Sequence, residues 1–180
     1  MTLVDEYHFS YEQWQGGAVS PVKVGDLVIA PPWEDIPCGT GKRKIVLDPG
    51  VVFGNGLHPT TRDCLRALNH LRHGSRFAGV LDFGTGSGVL ALAAAAWGAS
   101  RVLAVDLNPL CVKTARNNVN LNGLEDRVVV KEGRAEDFSD EPADLVVANI
   151  HYEVMKHLLT SGCFREKKWL YPGFSKAIIL

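Results

Sequence analysis

Short apolar runs alternate with segments of helical period along most of this chain. Val80-Leu81-Asp82-Phe83 is one such run, closed by Gly84. Residues 87–97 read as an Ala-rich helix stopped by Gly98. Arg101–Asp106 reads as a second strand. Asn108 has the side chain of an N-cap and Pro109 suits the first helical position, so a helix is expected from there to Gly123. Val128–Val130 is a third strand and Asp144–Ile150 a fourth. A helix near 152–160 and a fifth strand near 167–171 follow. Alternation of this kind predicts a parallel sheet with helices on both faces, joined by right-handed crossovers. The fold class is therefore α/β, a doubly wound, mostly parallel, Rossmann-like sheet.

Upstream the pattern differs. Residues 1–46 carry four of the nine prolines and little helical period. Val22–Ala30 reads as a strand, a Gly25-Asp26 turn and a second strand, stopped by Pro31-Pro32. This predicts an extended, partly β N-terminal arm or linker over 1–46, ahead of a larger domain over 47–180. Leu47–Thr61 is a Gly-rich loop, and Pro59 suits the first turn of a helix. Leu65, Leu68 and Leu71 continue that helix until Gly74.

Composition narrows the function classes. The 180 residues are 46% hydrophobic, with 19 Lys and Arg against 20 Asp and Glu, a net charge of -1. Such a balance gives no support for bulk electrostatic binding to nucleic acid or an anionic membrane. No apolar run approaches the ~20 residues of a membrane span, and no signal peptide is expected. Cys38, Cys64, Cys111 and Cys163 are scattered singly, which suits buried reduced thiols and a cytoplasmic setting. His8, His70, His73, His151 and His157 lack ligand spacing, so no metal site is expected. His151 stands out only for its place beside Asn149.

The chemistry concentrates at one edge of the predicted sheet. Asp82-Phe83-Gly84-Thr85-Gly86-Ser87-Gly88 lies between a strand and a helix, where a doubly wound sheet binds its ligand. Glycines there let the backbone approach a ligand, and the helix N-terminus offers free N–H donors. A plain Gly-rich turn would show the same glycines. A dinucleotide fingerprint needs G-x-G-x-x-G, whereas Val89 stands at the third position and the pattern is G-x-G-x-G. The Asp82 carboxylate would repel a pyrophosphate but could pair with a cationic amino-acid group. S-adenosylmethionine has an ammonium and a sulfonium and no phosphate. Asp106 ends the second strand and can accept both ribose hydroxyls, or serve only as a helix N-terminal acid. Asn149 ends the fourth strand. Its amide can orient an amine lone pair toward a methyl group, or cap the following helix.

Taken together, these segments resemble the ribosomal protein L11 methyltransferase family, within the class I S-adenosylmethionine-dependent methyltransferases. The resemblance rests on Leu47-Asp-Pro-Gly-Val-Val-Phe-Gly-Asn-Gly-Leu-His-Pro-Thr-Thr61, Leu81-Asp-Phe-Gly-Thr-Gly-Ser-Gly88, Val105-Asp-Leu-Asn-Pro109, Ala115-Arg-Asn-Asn-Val-Asn-Leu-Asn-Gly123 and Val147-Ala-Asn-Ile150. It covers roughly residues 11–172, and the loop before Thr61 is its most specific part.

The resemblance implies S-adenosyl-L-methionine as cofactor and an N-methyltransferase acting on a protein amine, with ribosomal protein L11 as the model substrate. It implies that Thr61 contacts the methionine part of the cofactor and that Gly84 and Gly86 lie beneath it, near Asp82. It further implies that Asp106 holds the ribose, that Asn149 contacts cofactor and incoming amine as the catalytic residue, and that Phe53 and His58 lie in a loop covering the site. The adenine edge would be read around Gly133–Glu136. Two departures are expected. The family's separate N-terminal recognition domain is missing, and the sheet lacks the last two strands of a full class I fold. The fifth strand would then be an edge, open to self-association or covered by the folded-back tail Ala177–Leu180. Rival readings are a methyltransferase for a small-molecule or nucleic-acid amine, and a non-catalytic S-adenosylmethionine-binding fragment.

Overall fold

The computed structural model describes residues 20–37, 39–54, 58–74, 77–138, 140–160, 167–172 and 177–179. A small sheet opens the described chain. In it β1 (Val22–Val24) pairs antiparallel with β2 (Leu27–Ala30) across the expected Gly25-Asp26 turn. The sequence pattern did not reveal β3 (Arg43–Val46), which pairs parallel to β2. Its leading residues are basic and only Ile45 is buried, so it shows no apolar run.

The remaining elements follow the predicted order. They are α1 (Pro59–Gly74), β4 (Gly79–Phe83), α2 (Val89–Ala96), β5 (Arg101–Asp106), α3 (Pro109–Leu121) and β6 (Val128–Glu132), then a 3-10 turn over Ala135–Phe138, β7 (Leu145–Ala148), α4 (Tyr152–Thr160), β8 (Lys168–Pro172) and β9 (Ala177–Ile179). Asn108 caps α3 as expected, its Oδ1 accepting from Leu110 N at 2.9 Å.

The large sheet runs β6-β5-β4-β7-β8-β9, parallel except for the final pairing. The order reverses at β4, where the chain turns from β5 and β6 on one side to β7 and β8 on the other. That reversal opens a crevice at the carboxyl ends of the strands. One expectation is corrected here. The sheet does not stop at the fifth parallel strand, because β9 pairs antiparallel with β8, Leu170 opposite Ile179. The tail thus occupies hydrogen-bonding groups that an edge strand would leave open.

Side-chain alternation along the strands fills both faces. Val80, Val102, Ala104, Leu145, Val147 and Leu170 join α1, α2, α3 and the small sheet in one core. Leu81, Phe83, Leu103, Val105, Val146 and Ala148 pack with Met155 and Leu158 of α4 in the other. Helix α2 is apolar on every side and buried from Val89 to Ala95, as a helix enclosed by two layers must be. Its alanines let β3, β4, β5 and α1 approach it together. The arm is tied to this body by Asp26, whose carboxylate accepts from Arg72 Nη2 at 2.8 Å, Trp97 Nε1 at 2.9 Å and Arg43 Nη1 at 3.0 Å. Burial pulls the Asp26 pKa up, but the Trp97 indole and the two guanidiniums outweigh it and hold the carboxyl below its ordinary range.

Candidate functional site

The loop 84–88 leaves β4 with three glycines at positive φ: Gly84 at 68°, Gly86 at 56° and Gly88 at 86°. Side chains are excluded there on steric grounds as well. A Cβ on Gly84 would lie 2.2 Å from Ile150 Cγ2, and one on Gly86 would lie 2.4 Å from the Phe53 carbonyl oxygen. Gly84 N and Thr85 N both donate to Val105 O, fastening the loop to the end of β5.

Asp82 lies under this loop and is 1% exposed. Its Oδ2 accepts from the Thr85 hydroxyl at 2.7 Å and from Ala91 N at 3.1 Å. Gly88, at the N-cap of α2, has no side chain to satisfy the helix's free N–H groups, and the Asp82 carboxylate takes over that task. Asp82 Oδ1 is buried with no hydrogen-bond partner among the described residues. Burial, helped by the nearby Asp106 charge, pushes this carboxyl up to about 6 against the pull of the Thr85 hydroxyl and the Ala91 N–H. Cys64 of α1 is buried nearby. Burial, together with the charges of Asp82 and Asp63, pushes its thiol up to about 12.

Asp106 ends β5 as expected. Its Oδ2 accepts from Gly86 N and its Oδ1 from Asn108 N, both at 2.9 Å. The residue therefore braces the helix entrance and the glycine loop at once. An ionised carboxylate offers about four lone-pair sites, so beside these two bonds and the neighbouring Cys111 thiol it keeps room for a further donor.

Thr61 and Asn149 come together from distant segments. Asn149 Nδ2 donates to Thr61 Oγ1 at 3.1 Å. Thr61 is buried on the first turn of α1, and Asn149 follows β7. The amide N–H thus faces across the crevice, and α4 takes its Met155 N–H to His151 O. Phe53 and His58 form a tilted ring pair at 5.0 Å between centroids, with Phe53 53% exposed. The Phe53 carbonyl accepts from Ser87 N at 3.0 Å and the Gly54 carbonyl from the Ser87 hydroxyl at 2.5 Å. This loop lies directly on the glycine loop, as a cover would. Gly133 N donates to Asp106 O, which puts the 133–136 segment beside the same strand end. His151 is exposed.

Two asparagines of the α3 segment escaped the sequence reading, and of the two it is Asn118 that touches the glycine loop. Asn118 of α3 is fully buried, with bonds to Asp48 and Ser87. Asn122, one turn on, holds both backbone groups of Val46. Their spacing of four on one helix was the available signal. Cys64 and Cys111 are buried as expected, whereas Cys38, Cys163 and Asn55–Leu57 lie outside the described residues.

The family model for ribosomal protein L11 methyltransferase matches residues 7–167. The chain belongs to this family. It is 42% identical over 139 residues to the ribosomal protein L11 methyltransferase of Carboxydothermus hydrogenoformans, covering 77% of this chain and 45% of that one. To the corresponding protein of Heliobacterium modesticaldum it is 48% identical over 158 residues, covering 87% and 49%. The solved ribosomal protein L11 methylase of Lactobacillus delbrueckii subsp. bulgaricus superposes with a TM-score of 0.68 at 31% identity, covering 83% of this chain and 78% of that one. The chain spans about half the length of the curated relatives it matches. Among the described residues, no helix of this family member is long and apolar enough to cross a membrane.

Proposed function

We propose that this chain binds S-adenosyl-L-methionine in the crevice above β4 and β5 and transfers its methyl group to a protein amine, that of ribosomal protein L11 or a close counterpart. The observation that carries this reading is the junction of Asp106 and the glycine loop, where the strand-end carboxylate holds Gly86 N and Asn108 N and keeps lone-pair capacity for a ligand hydroxyl. A ribose diol fits that capacity. The buried Asp82 carboxylate supports the loop from beneath through the Thr85 hydroxyl and Ala91 N.

When bound, the cofactor supplies an electrophilic methyl on a sulfonium, and the chemistry is a direct displacement. The chain's own part is binding and orientation. Asp106 holds the ribose, and Gly84 and Gly86 let the backbone lie close to the methionine part. Thr61 fixes the Asn149 amide, leaving the Asn149 carbonyl oxygen to accept from an incoming amine and aim its lone pair. A lysine ammonium, with a reference pKa of about 10.4, must shed a proton before attack, and desolvation in the crevice lowers that pKa. Phe53 and His58 cover the site and exclude water. Residues 47–180 carry this activity and 1–46 serve as a linker, in a cytoplasmic protein whose target is ribosomal.

The test is transfer of a labelled methyl group. Incubation with labelled S-adenosylmethionine and purified L11 should label the protein at an amine, located by mass spectrometry. Label on small-molecule or nucleic-acid amines alone would replace this substrate by the rival class.

A further inference from the structure

Three successive residues of the glycine loop dock on α3 and on the acid that precedes it. Gly86 N donates to Asp106 Oδ2. Ser87 O accepts from Asn118 Nδ2 at 2.9 Å. Gly88 lies so near α3 that a Cβ there would be 3.2 Å from Ala115 Cβ. The same Asn118 reaches the covering loop. Its Oδ1 accepts from Asp48 N at 2.8 Å, and its Nδ2 donates to Asp48 O at 2.7 Å. One buried amide thus pairs with a backbone as a β-strand neighbour would, and spends its remaining donor on the glycine loop. Beyond Asp48 the covering loop makes a turn, with Gly50 N donating to Asp48 Oδ1 at 3.0 Å, and returns to Ser87 through the Phe53 and Gly54 carbonyls. Ser87 therefore has its N–H, hydroxyl and carbonyl all engaged in the same closed circuit.

We propose that Asn118 is a positioning residue for the cofactor, acting through Asp48 and Ser87 to lock the 48–54 segment onto the glycine loop before the cofactor binds. The inference rests on the cofactor reading given above. Its physical content is preorganisation: the ordering cost of two loops is met in folding, so less of the binding energy is spent on it. Asn122 gives the contrast. It makes the same kind of backbone pairing, to Val46 N and O, but its remaining bond stays within α3, at Asn118 O.

The test compares Asn118→Ala with Asn122→Ala by hydrogen exchange and by calorimetric titration with S-adenosylmethionine. Exchange of the ligand-free proteins reports the latch without any cofactor. Protection at Ser87 N, which donates to Phe53 O rather than to Asn118, is expected to fall about tenfold or more in Asn118→Ala and to stay unchanged in Asn122→Ala. The cofactor Kd is expected to rise about tenfold in Asn118→Ala, as a loss of about 1.4 kcal/mol of preorganisation implies, and to stay within about twofold in Asn122→Ala. Asn118→Asp has nearly the same volume and loses both donors. It gives the same readings should Asn118→Ala fail to fold. Unchanged Ser87 protection, or a cofactor Kd within twofold of wild type in folded Asn118 variants, overturns the inference. A wild-type protein that binds no S-adenosylmethionine overturns the cofactor reading instead, while the exchange experiment still decides the latch.

Discussion

Asn149 Nδ2 and Thr61 Oγ1, 88 positions apart in the chain, meet at 3.1 Å and tie the end of β7 to the first turn of α1. Thr61→Val keeps the side chain's shape and removes the acceptor. A double-mutant cycle with Asn149→Ala, measured by urea unfolding, is expected to show a coupling of roughly 0.5–1.5 kcal/mol. Additive effects would mean that the two residues are neighbours without being partners.

Asp106→Asn keeps the size of the side chain and removes its charge. If the carboxylate accepts two ribose hydroxyls, S-adenosylmethionine affinity should fall by about 10- to 100-fold, on the order of 2 kcal/mol. Unchanged affinity in the folded variant would reduce Asp106 to a brace for Gly86 N and Asn108 N.

Gly84→Ala combines a positive φ with a Cβ that would lie 2.2 Å from Ile150 Cγ2. The left-handed backbone alone costs an L-residue roughly 1–2 kcal/mol, and Ile150 must shift as well. The urea midpoint should drop by an amount equivalent to at least about 2 kcal/mol with an unchanged m-value. A wild-type midpoint would show that the loop relaxes freely.

Asp82 gives a pH signature. Its carboxyl is raised from 3.8 to about 6 in the fold, chiefly by burial, so the folded state holds its proton more tightly than the unfolded chain. The stability it contributes is present in full below pH 4 and is lost as pH rises from about 4 through about 6. Asp82→Asn should therefore gain on the wild type across that window, by an amount on the order of 2–3 kcal/mol. A stability difference that is flat between pH 4 and pH 6 would place the carboxyl at its ordinary value.

What the sequence disclosed and what it withheld have physical reasons. Val80–Phe83, Arg101–Asp106 and the run before Asn149 were legible because central parallel strands are buried on both faces and read as apolar runs. Asn108-Pro109 marked a helix start by local chemistry alone. Arg43–Val46 was not legible, since its strand character comes from pairing with β2 and from the Arg43 side chain reaching Asp26 and Ala96 O. The tail strand 177–179 was visible only as an apolar end needing cover, and its antiparallel pairing with β8 depends on partners that no local pattern encodes. At the candidate site, the places of Asp106 and Asn149 at strand ends and of the glycine loop before a helix were readable from local pattern, whereas Thr61 was singled out through the family resemblance. Asn118 was not, because an asparagine in a helix is commonplace and its partner Asp48 lies 70 positions upstream.

The most direct test of the account is calorimetric titration of the wild-type chain with S-adenosylmethionine and, in parallel, with NAD. The G-x-G-x-G loop over Asp82, with Asp106 beside it, predicts saturable binding of S-adenosylmethionine and none of NAD. Tighter binding of NAD, or no binding of S-adenosylmethionine by the folded protein, would contradict the assignment of this crevice.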